Sequence, residues 1–141
     1  MFKLLKNETT RQKVEFELPR DSDADVKKAQ IFVTFKVNPR KIKRERDQAI
    51  AALARQAKNY IEGKEEELEV TTTDSENQYL TEDITNIEGV AGPGDDDDEL
   101  EFTPELLEEI LEADYVRDAL MLVWHNVQNN KAFRKASKAK N

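Results

Sequence analysis

Few side chains in this sequence could carry catalytic chemistry. His125 is the single histidine and no cysteine is present, which excludes thiol catalysis and cysteine-bound zinc. A serine hydrolase would need Ser22, Ser75 or Ser137, but none of the three lies in the glycine-flanked elbow of such enzymes. The sequence also lacks the common glycine-rich phosphate-binding patterns. We therefore expect a protein that is not an enzyme and that binds neither a cofactor nor a metal.

A run of acidic side chains from Asp95 to Glu99 raises the question of calcium binding. An EF-hand loop requires a glycine at its sixth position and a glutamate at its twelfth. Counted from Asp95, those positions are Leu100 and Leu106, so the pattern fails at both. We expect residues 91–99 to form a solvated acidic loop.

The net charge of −8 is distributed unevenly along the chain. Acidic residues dominate positions 63–114, where Lys64 is the single basic residue, whereas both flanking parts are net basic. Such blocks affect solubility and association more than they affect the fold. Nucleic acid is not an expected partner, because acids interleave the basic residues of 40–47 and no aromatic stacking pattern accompanies them. A surface that imitates nucleic-acid phosphate is the alternative for the acidic centre.

No membrane-targeting segment is visible in the sequence. The first twenty residues mix basic, acidic and polar side chains, unlike a signal peptide. No apolar run approaches the roughly 18 residues that a membrane span needs. We expect a soluble, intracellular protein without a membrane partner.

Alternating residues predict two N-terminal strands within residues 11–37. Charged and apolar side chains alternate from Lys13 to Leu18, which is the period of a half-buried strand. A second strand is expected from Gln30 to Val37, and the two should pair antiparallel. Two strands alone are marginal in water, so a helix or a third strand must accompany them.

A helix is predicted over residues 42–62, after the Asn38-Pro39 pair that ends the second strand. Gly63 suits the position just past its end. We expect its apolar stripe to pack against the sheet. The stripe consists of Ala49, Ile50, Leu53, Ala57, Tyr60 and Ile61.

Two further short elements are predicted before the acidic loop. A third strand is expected over residues 68–73, where apolar and polar residues alternate. A short helix is expected over residues 79–87, because Leu80, Ile84 and Ile87 recur at helical spacing.

Two C-terminal helices are predicted over residues 104–129. Thr103 and Pro104 form a typical helix start, with threonine as the N-cap and proline as the first helical residue. Asp114 is in a position to cap the second helix.

The last helix has an apolar arc wider than the roughly 100° that a surface helix needs. Tyr115, Met121, Leu122 and Trp124 lie outside its central apolar stripe. Two interpretations stay open. Either the helix sits at the centre of the fold and is covered on most sides, or these residues are exposed for a partner. We take the four side chains as candidate partner-binding residues.

Together these elements predict an α+β protein. It would contain a small N-terminal antiparallel sheet of two or three strands, a covering helix and a C-terminal helical pair. We expect residues 1–130 to form a single domain and the basic residues 131–141 to form a disordered tail.

The stretch between residues 84 and 130 contains a series of short motifs. They are Glu88-Gly89-Val90, Asp95–Asp98, Phe102-Thr103-Pro104-Glu105, Leu106-Leu107, Tyr115-Val116-Arg117 and Ala119-Leu120. In this order they resemble the tail assembly chaperones of long-tailed (siphovirus-type) bacteriophages, which are related in role to the lambda G protein. Three features depart from that pattern. Ile87 stands where the family often has tryptophan, Asp114 stands where proline is common, and the acidic turn is longer and lacks its usual glycine after the acids.

The resemblance implies a non-enzymatic chaperone that binds the phage tape-measure protein and helps recruit tail-tube subunits. It also implies action in the host cytoplasm and absence from the mature virion. Self-association is left open. The resemblance further implies a ribosomal frameshift, for which codons of Ala139-Lys140-Asn141 could supply a slippery site.

Two other functions stay open as alternatives. One is an acidic inhibitor that occupies a nucleic-acid-binding surface, and the other is a head–tail connector subunit.

Overall fold

The computed structural model of the protein describes residues 8–22, 25–63, 72–91 and 98–129. Its elements in chain order are strands β1 (Thr9–Glu17) and β2 (Lys28–Lys36), helices α1 (Arg40–Ile61) and α2 (Thr72–Asp83), strand β3 (Ile84–Glu88), and helices α3 (Pro104–Leu111) and α4 (Asp114–Gln128). The antiparallel sheet and the C-terminal helical pair confirm the predicted α+β class. The chain groups into two compact units, one formed by Met1–Val37 with Asp83–Asn141 and the other by Asn38–Glu82.

The core of the first unit lies on one face of the sheet. β1 and β2 pair antiparallel as predicted, and the strand order is β1-β2-β3. Val14, Val33 and Phe35 on this face are completely buried. Helix α4 packs on β1 and contributes Leu120 and Val127, which are also completely buried. Each such side chain stabilises the fold by about 1.5–3 kcal/mol relative to exposure.

The third strand of the sheet is β3. The strand predicted over residues 68–73 is wrong at residues 72 and 73. Residues 72 and 73 begin helix α2, while residues 68–71 lie outside the described residues. Residues 92–97 of the predicted acidic loop and the tail over 131–141 also lie outside them.

A β-bulge explains why β3 resembles a helix in sequence. The helix predicted over residues 79–87 ends at Asp83, and the chain continues as a strand. Ile84 lies opposite Phe35 and Ile87 lies opposite Val33, with a register shift between them that leaves one extra residue on β3. Both isoleucines are therefore buried although they are three positions apart, which is a spacing typical of helices.

Helix α1 forms as predicted, but the expected burial of its apolar stripe is wrong. No residue of α1 is buried, and the side chains of Tyr60 and Ile61 are 45% and 83% exposed. The stripe has little apolar area, because Ala49 and Ala57 supply two of its positions. The helix that packs on β1 is α4.

The starts of the two C-terminal helices differ. Thr103 caps α3 as predicted, since its hydroxyl accepts a hydrogen bond from Leu106 N at 3.1 Å. Asp114 does not cap α4: it is the first helical residue, and Ala113 at the N-cap position makes no side-chain bond. The negative charge of Asp114 still interacts favourably with the helix dipole from the first turn.

Candidate protein-binding groove

The four candidate partner-binding residues lie on two different sides of α4. The side chains of Tyr115 and Leu122 are 43% and 63% exposed. Met121 and Trp124 are 9% and 5% exposed and belong to the core. Two of the four residues are therefore covered by the fold and two are exposed, and partner binding by the exposed pair stays a prediction.

Buried hydrogen bonds explain why this side of α4 faces inward. The indole N–H of Trp124 donates to Asp83 Oδ2 at 2.7 Å, and Asp83 is only 1% exposed. Gln128, one turn further along, donates from Nε2 to the main-chain oxygen of Lys36 at 2.8 Å. Such bonds satisfy buried polar groups and hold α4 in one orientation.

The opposite side of α4 presents two apolar side chains to solvent. Tyr115 and Leu122 are seven residues apart, which places them on the same side of the helix and about 10 Å apart along its axis. Because the inward side is fixed by hydrogen bonds, this exposed pair has a fixed orientation.

A groove of about 480 Å³ opens beside Tyr115, within the first unit. We call it the apolar groove. One wall comes from the sheet, where Phe16, Leu18 and Ile31 line it. The rings of Phe16 and Tyr115 pack against each other at this wall, with centroids 5.9 Å apart and planes tilted by 56°. This aromatic contact holds the tyrosine at the mouth of the groove.

A second wall comes from the two C-terminal helices. Leu106 and Ile110 of α3 and Val116 of α4 line it. The Thr103 cap fixes the first turn of α3, and therefore the position of Leu106. The polar side chains in the lining are Glu109, Gln30 and the tyrosine, so the groove is predominantly apolar.

The third wall is formed by the chain on either side of residues 92–97. Gly89 ends β3 with a φ of +95°, a conformation that other residues rarely adopt. The chain then supplies Val90 to the groove, and Val90 O accepts a hydrogen bond from Leu100 N at 2.7 Å. Ala91 and Glu99 form an antiparallel bridge beside that bond. The described chain therefore leaves this wall at Ala91 and returns to it at Glu99, at neighbouring points.

Negative charge surrounds the groove on the α3 side. The segment 98–114 contains no lysine, arginine or histidine. Its acidic residues are all exposed, and Glu109 lines the groove itself. They are Asp98, Glu99, Glu101, Glu105, Glu108, Glu109, Glu112 and Asp114. A partner with basic residues beside an apolar stretch would complement this surface.

Over the part of the chain that the structure describes, no cluster of histidine and acidic residues could hold a metal ion. His125 is exposed, and the centroid of its ring lies 4.9 Å from that of Trp124. Ser75 is buried in α2. Within the same described ranges, none of the helices is both long and apolar enough to cross a membrane.

No protein-family model, curated protein or solved structure matches the chain.

Most of the groove was missed by reasoning from the sequence. Phe16, Leu18 and Ile31 were predicted only as strand residues, because alternation identifies a face but not its edge. Of the candidate partner-binding residues, only Tyr115 lines the groove. The available signal was the set of short motifs between residues 84 and 130, which supplies the other two walls.

Proposed function

We propose that this protein is a non-enzymatic tail assembly chaperone of a long-tailed bacteriophage, which binds the tape-measure protein and helps recruit tail-tube subunits. The observation that carries the proposal is that residues of the family-like motifs also line the apolar groove. Gly89, Val90, Leu106, Tyr115 and Val116 belong to the motifs that resemble the chaperone family, and the same five residues line the apolar groove. The residues that resemble the chaperone family therefore form part of the apolar groove.

The shape and chemistry of the groove support the binding of an amphipathic helix. Such a helix inserts apolar residues spaced three or four apart into an apolar groove and keeps its polar face in water. Tyr115 lines the groove, and the exposed Leu122 adds apolar surface further along the same side of α4. A long helical tape-measure protein offers many segments of this kind. The acidic residues of 98–114 would keep a complex of many copies soluble.

Co-expression with the tape-measure protein tests the proposal. The wild-type chain should retain that protein on an affinity column. Tyr115→Asp places a charge in the groove mouth, and Leu122→Asp places one on the exposed side of α4. Both variants should lose most of the retained partner, because burying an unpaired carboxylate is unfavourable.

The matched control is Ile61→Asp, the same kind of change at an 83% exposed residue of α1. This variant should retain the partner as the wild type does. Emission from Trp124, the single tryptophan, reports whether each variant is folded. If the wild-type chain retains neither the tape-measure nor the tail-tube protein, the proposed function is wrong.

The acidic segment favours one other function, that of an inhibitor occupying a nucleic-acid-binding surface. Binding by charge weakens steeply as salt rises, whereas binding by apolar contact does not. Retention of the partner at high salt therefore supports the chaperone. Mass spectrometry of purified particles separates it from a head–tail connector, which must be present in them.

A further inference from the structure

Strand β1 forms one edge of the sheet, because the strand order is β1-β2-β3. Leu18 N donates to Lys27 O at 2.8 Å, so the main-chain groups of this even-numbered residue point toward β2. Val37 N donates to Glu8 O at 2.9 Å, which gives the same direction at the other end. Directions alternate along an antiparallel strand, so the odd-numbered residues of β1 point their main-chain groups outward. Among the described residues, no strand pairs with this outer edge.

The odd-numbered residues of β1 also carry its charges. Arg11, Lys13, Glu15 and Glu17 alternate with even-numbered residues that include the completely buried Val14. The side chains of Arg11, Lys13 and Glu15 are 55%, 51% and 55% exposed. The edge therefore combines outward main-chain groups with accessible charges on the same residues.

The order of these charges is self-complementary. If a second copy of β1 runs antiparallel and the two strands cross at Val14, Lys13 of each copy lies opposite Glu15 of the other. In the same register, Arg11 lies opposite Glu17. Each facing pair exchanges two main-chain hydrogen bonds, because these are the residues that point outward.

We propose that the outer edge of β1 is a dimerisation surface, on which a second copy of this chain pairs antiparallel about Val14. The two sheets then form one continuous sheet, with three strands from each copy. Opposite charges across neighbouring strands stabilise such a pairing, and like charges destabilise it.

The charges select one register. Shifting one strand by two residues along the other places Glu15 opposite Glu15 in one direction and Lys13 opposite Lys13 in the other. Charged residues on edge strands ordinarily prevent pairing with other strands. Along these outward residues the charges are positive at Arg11 and Lys13 and negative at Glu15 and Glu17, so the register that crosses at Val14 is the one in which no two like charges face each other.

The existing ion pairs are compatible with this dimer. Lys13 Nζ lies 2.9 Å from Glu15 Oε1 on its own strand, so both groups already occupy the outer face. In the dimer, Lys13 of one copy contacts Glu15 of the other copy instead. Arg11 is held by Glu88 of β3 at 2.6 Å, which leaves Lys13 and Glu15 as the main determinants of register.

Charge reversal tests the surface. Lys13→Glu and Glu15→Lys each place like charges opposite one another in a homodimer. Each single variant should dimerise about tenfold more weakly than the wild type, as measured by sedimentation equilibrium at low salt. The double variant Lys13→Glu with Glu15→Lys restores opposite charges and should dimerise like the wild type. An equimolar mixture of the two single variants should form a heterodimer, because their charges complement one another.

The matched control is Lys58→Glu, which changes the net charge as Lys13→Glu does but at a 74% exposed residue of α1. It should leave the dimer unchanged. Circular dichroism establishes that each variant is folded.

A wild-type chain that stays monomeric at high protein concentration overturns the proposal. So does a pair of single variants that fail to associate when mixed, or that dimerise alone as tightly as the wild type. These measurements contain no other protein, so their outcome is independent of the proposed chaperone function.

Discussion

Trp124 and Asp83 are joined by a hydrogen bond of 2.7 Å between two buried side chains. Asp83 is followed directly by Ile84, the first residue of β3. The bond therefore ties the middle of α4 to the point where the third strand begins. It directs one side of α4 inward, and this leaves Tyr115 and Leu122 on the exposed side.

Trp124→Phe keeps an aromatic ring but removes the N–H donor to Asp83. We expect the free energy of unfolding to fall by about 1–3 kcal/mol, because the buried side chain of Asp83 loses a hydrogen bond. Urea denaturation followed by circular dichroism measures this change. Tyr115→Phe is the control, since it removes a polar group from an exposed ring and should cost little. Equal stability of the wild type and Trp124→Phe would show that the bond contributes nothing.

Thr103→Ala removes the N-cap of α3. Its hydroxyl accepts the hydrogen bond from Leu106 N, so we expect a loss of about 1 kcal/mol in the free energy of unfolding. Thr103→Ser and Thr103→Asp keep an acceptor at the cap and should stay close to the wild type. A similar loss in all three variants would mean that the cap is not the cause.

Gly89→Ala tests the backbone at the end of β3. The φ of +95° strains any residue with a Cβ, although the nearest atom to that Cβ, Gln30 O, lies at an unstrained 3.6 Å. We expect a loss of about 1–2 kcal/mol in the free energy of unfolding. Val90→Ala, at the next position, removes side-chain contacts in the groove and separates their loss from the strain at Gly89. No loss in Gly89→Ala would contradict the assigned φ.

The ion pair on β1 predicts a pH effect. A hydrogen bond from the Lys13 ammonium, with its charge and that of Lys28, holds the pKa of the Glu15 carboxyl below its ordinary value of 4.5. Since the pKa is lower in the folded protein, the contribution to stability is present above the ordinary value. It is lost as the pH falls through the folded pKa. The contribution is small, because the pair is exposed to solvent.

An NMR titration of the Glu15 carboxyl measures this pKa directly. Lys13→Ala should raise it toward 4.5, while Lys58→Ala should leave it unchanged. An unchanged titration in Lys13→Ala would remove the ion pair as the cause.

The elements predicted best from sequence are those with a local pattern. β1 and β2 follow the alternation from Lys13 to Leu18 and from Gln30 to Val37, and α3 follows its Thr103-Pro104 start. β3 was predicted as a helix because a bulge gives its buried residues a helical spacing. No single-residue signal marks such a bulge, since it depends on the strand alongside.

Sequence alone could not separate the exposed candidate partner-binding residues, Tyr115 and Leu122, from the buried ones, Met121 and Trp124. The width of the apolar arc on α4 is visible in sequence, but its burial depends on partners far away in the chain. Trp124 is buried on the side of α4 where Asp83 accepts its hydrogen bond, and Leu122 is exposed on the opposite side. The apolar groove combines residues from six segments of the chain, so periodicity within any one segment could not reveal it.

The contact between Val90 and Leu100 makes the acidic segment a convenient place for engineering. The main-chain bond and the Ala91–Glu99 bridge hold the two ends of this segment together. A flexible insertion between these ends costs only about 0.6 kcal/mol in closure entropy for each doubling of its length. A peptide epitope or a fluorescent label inserted there would report on the groove while the residues that line it stay in place.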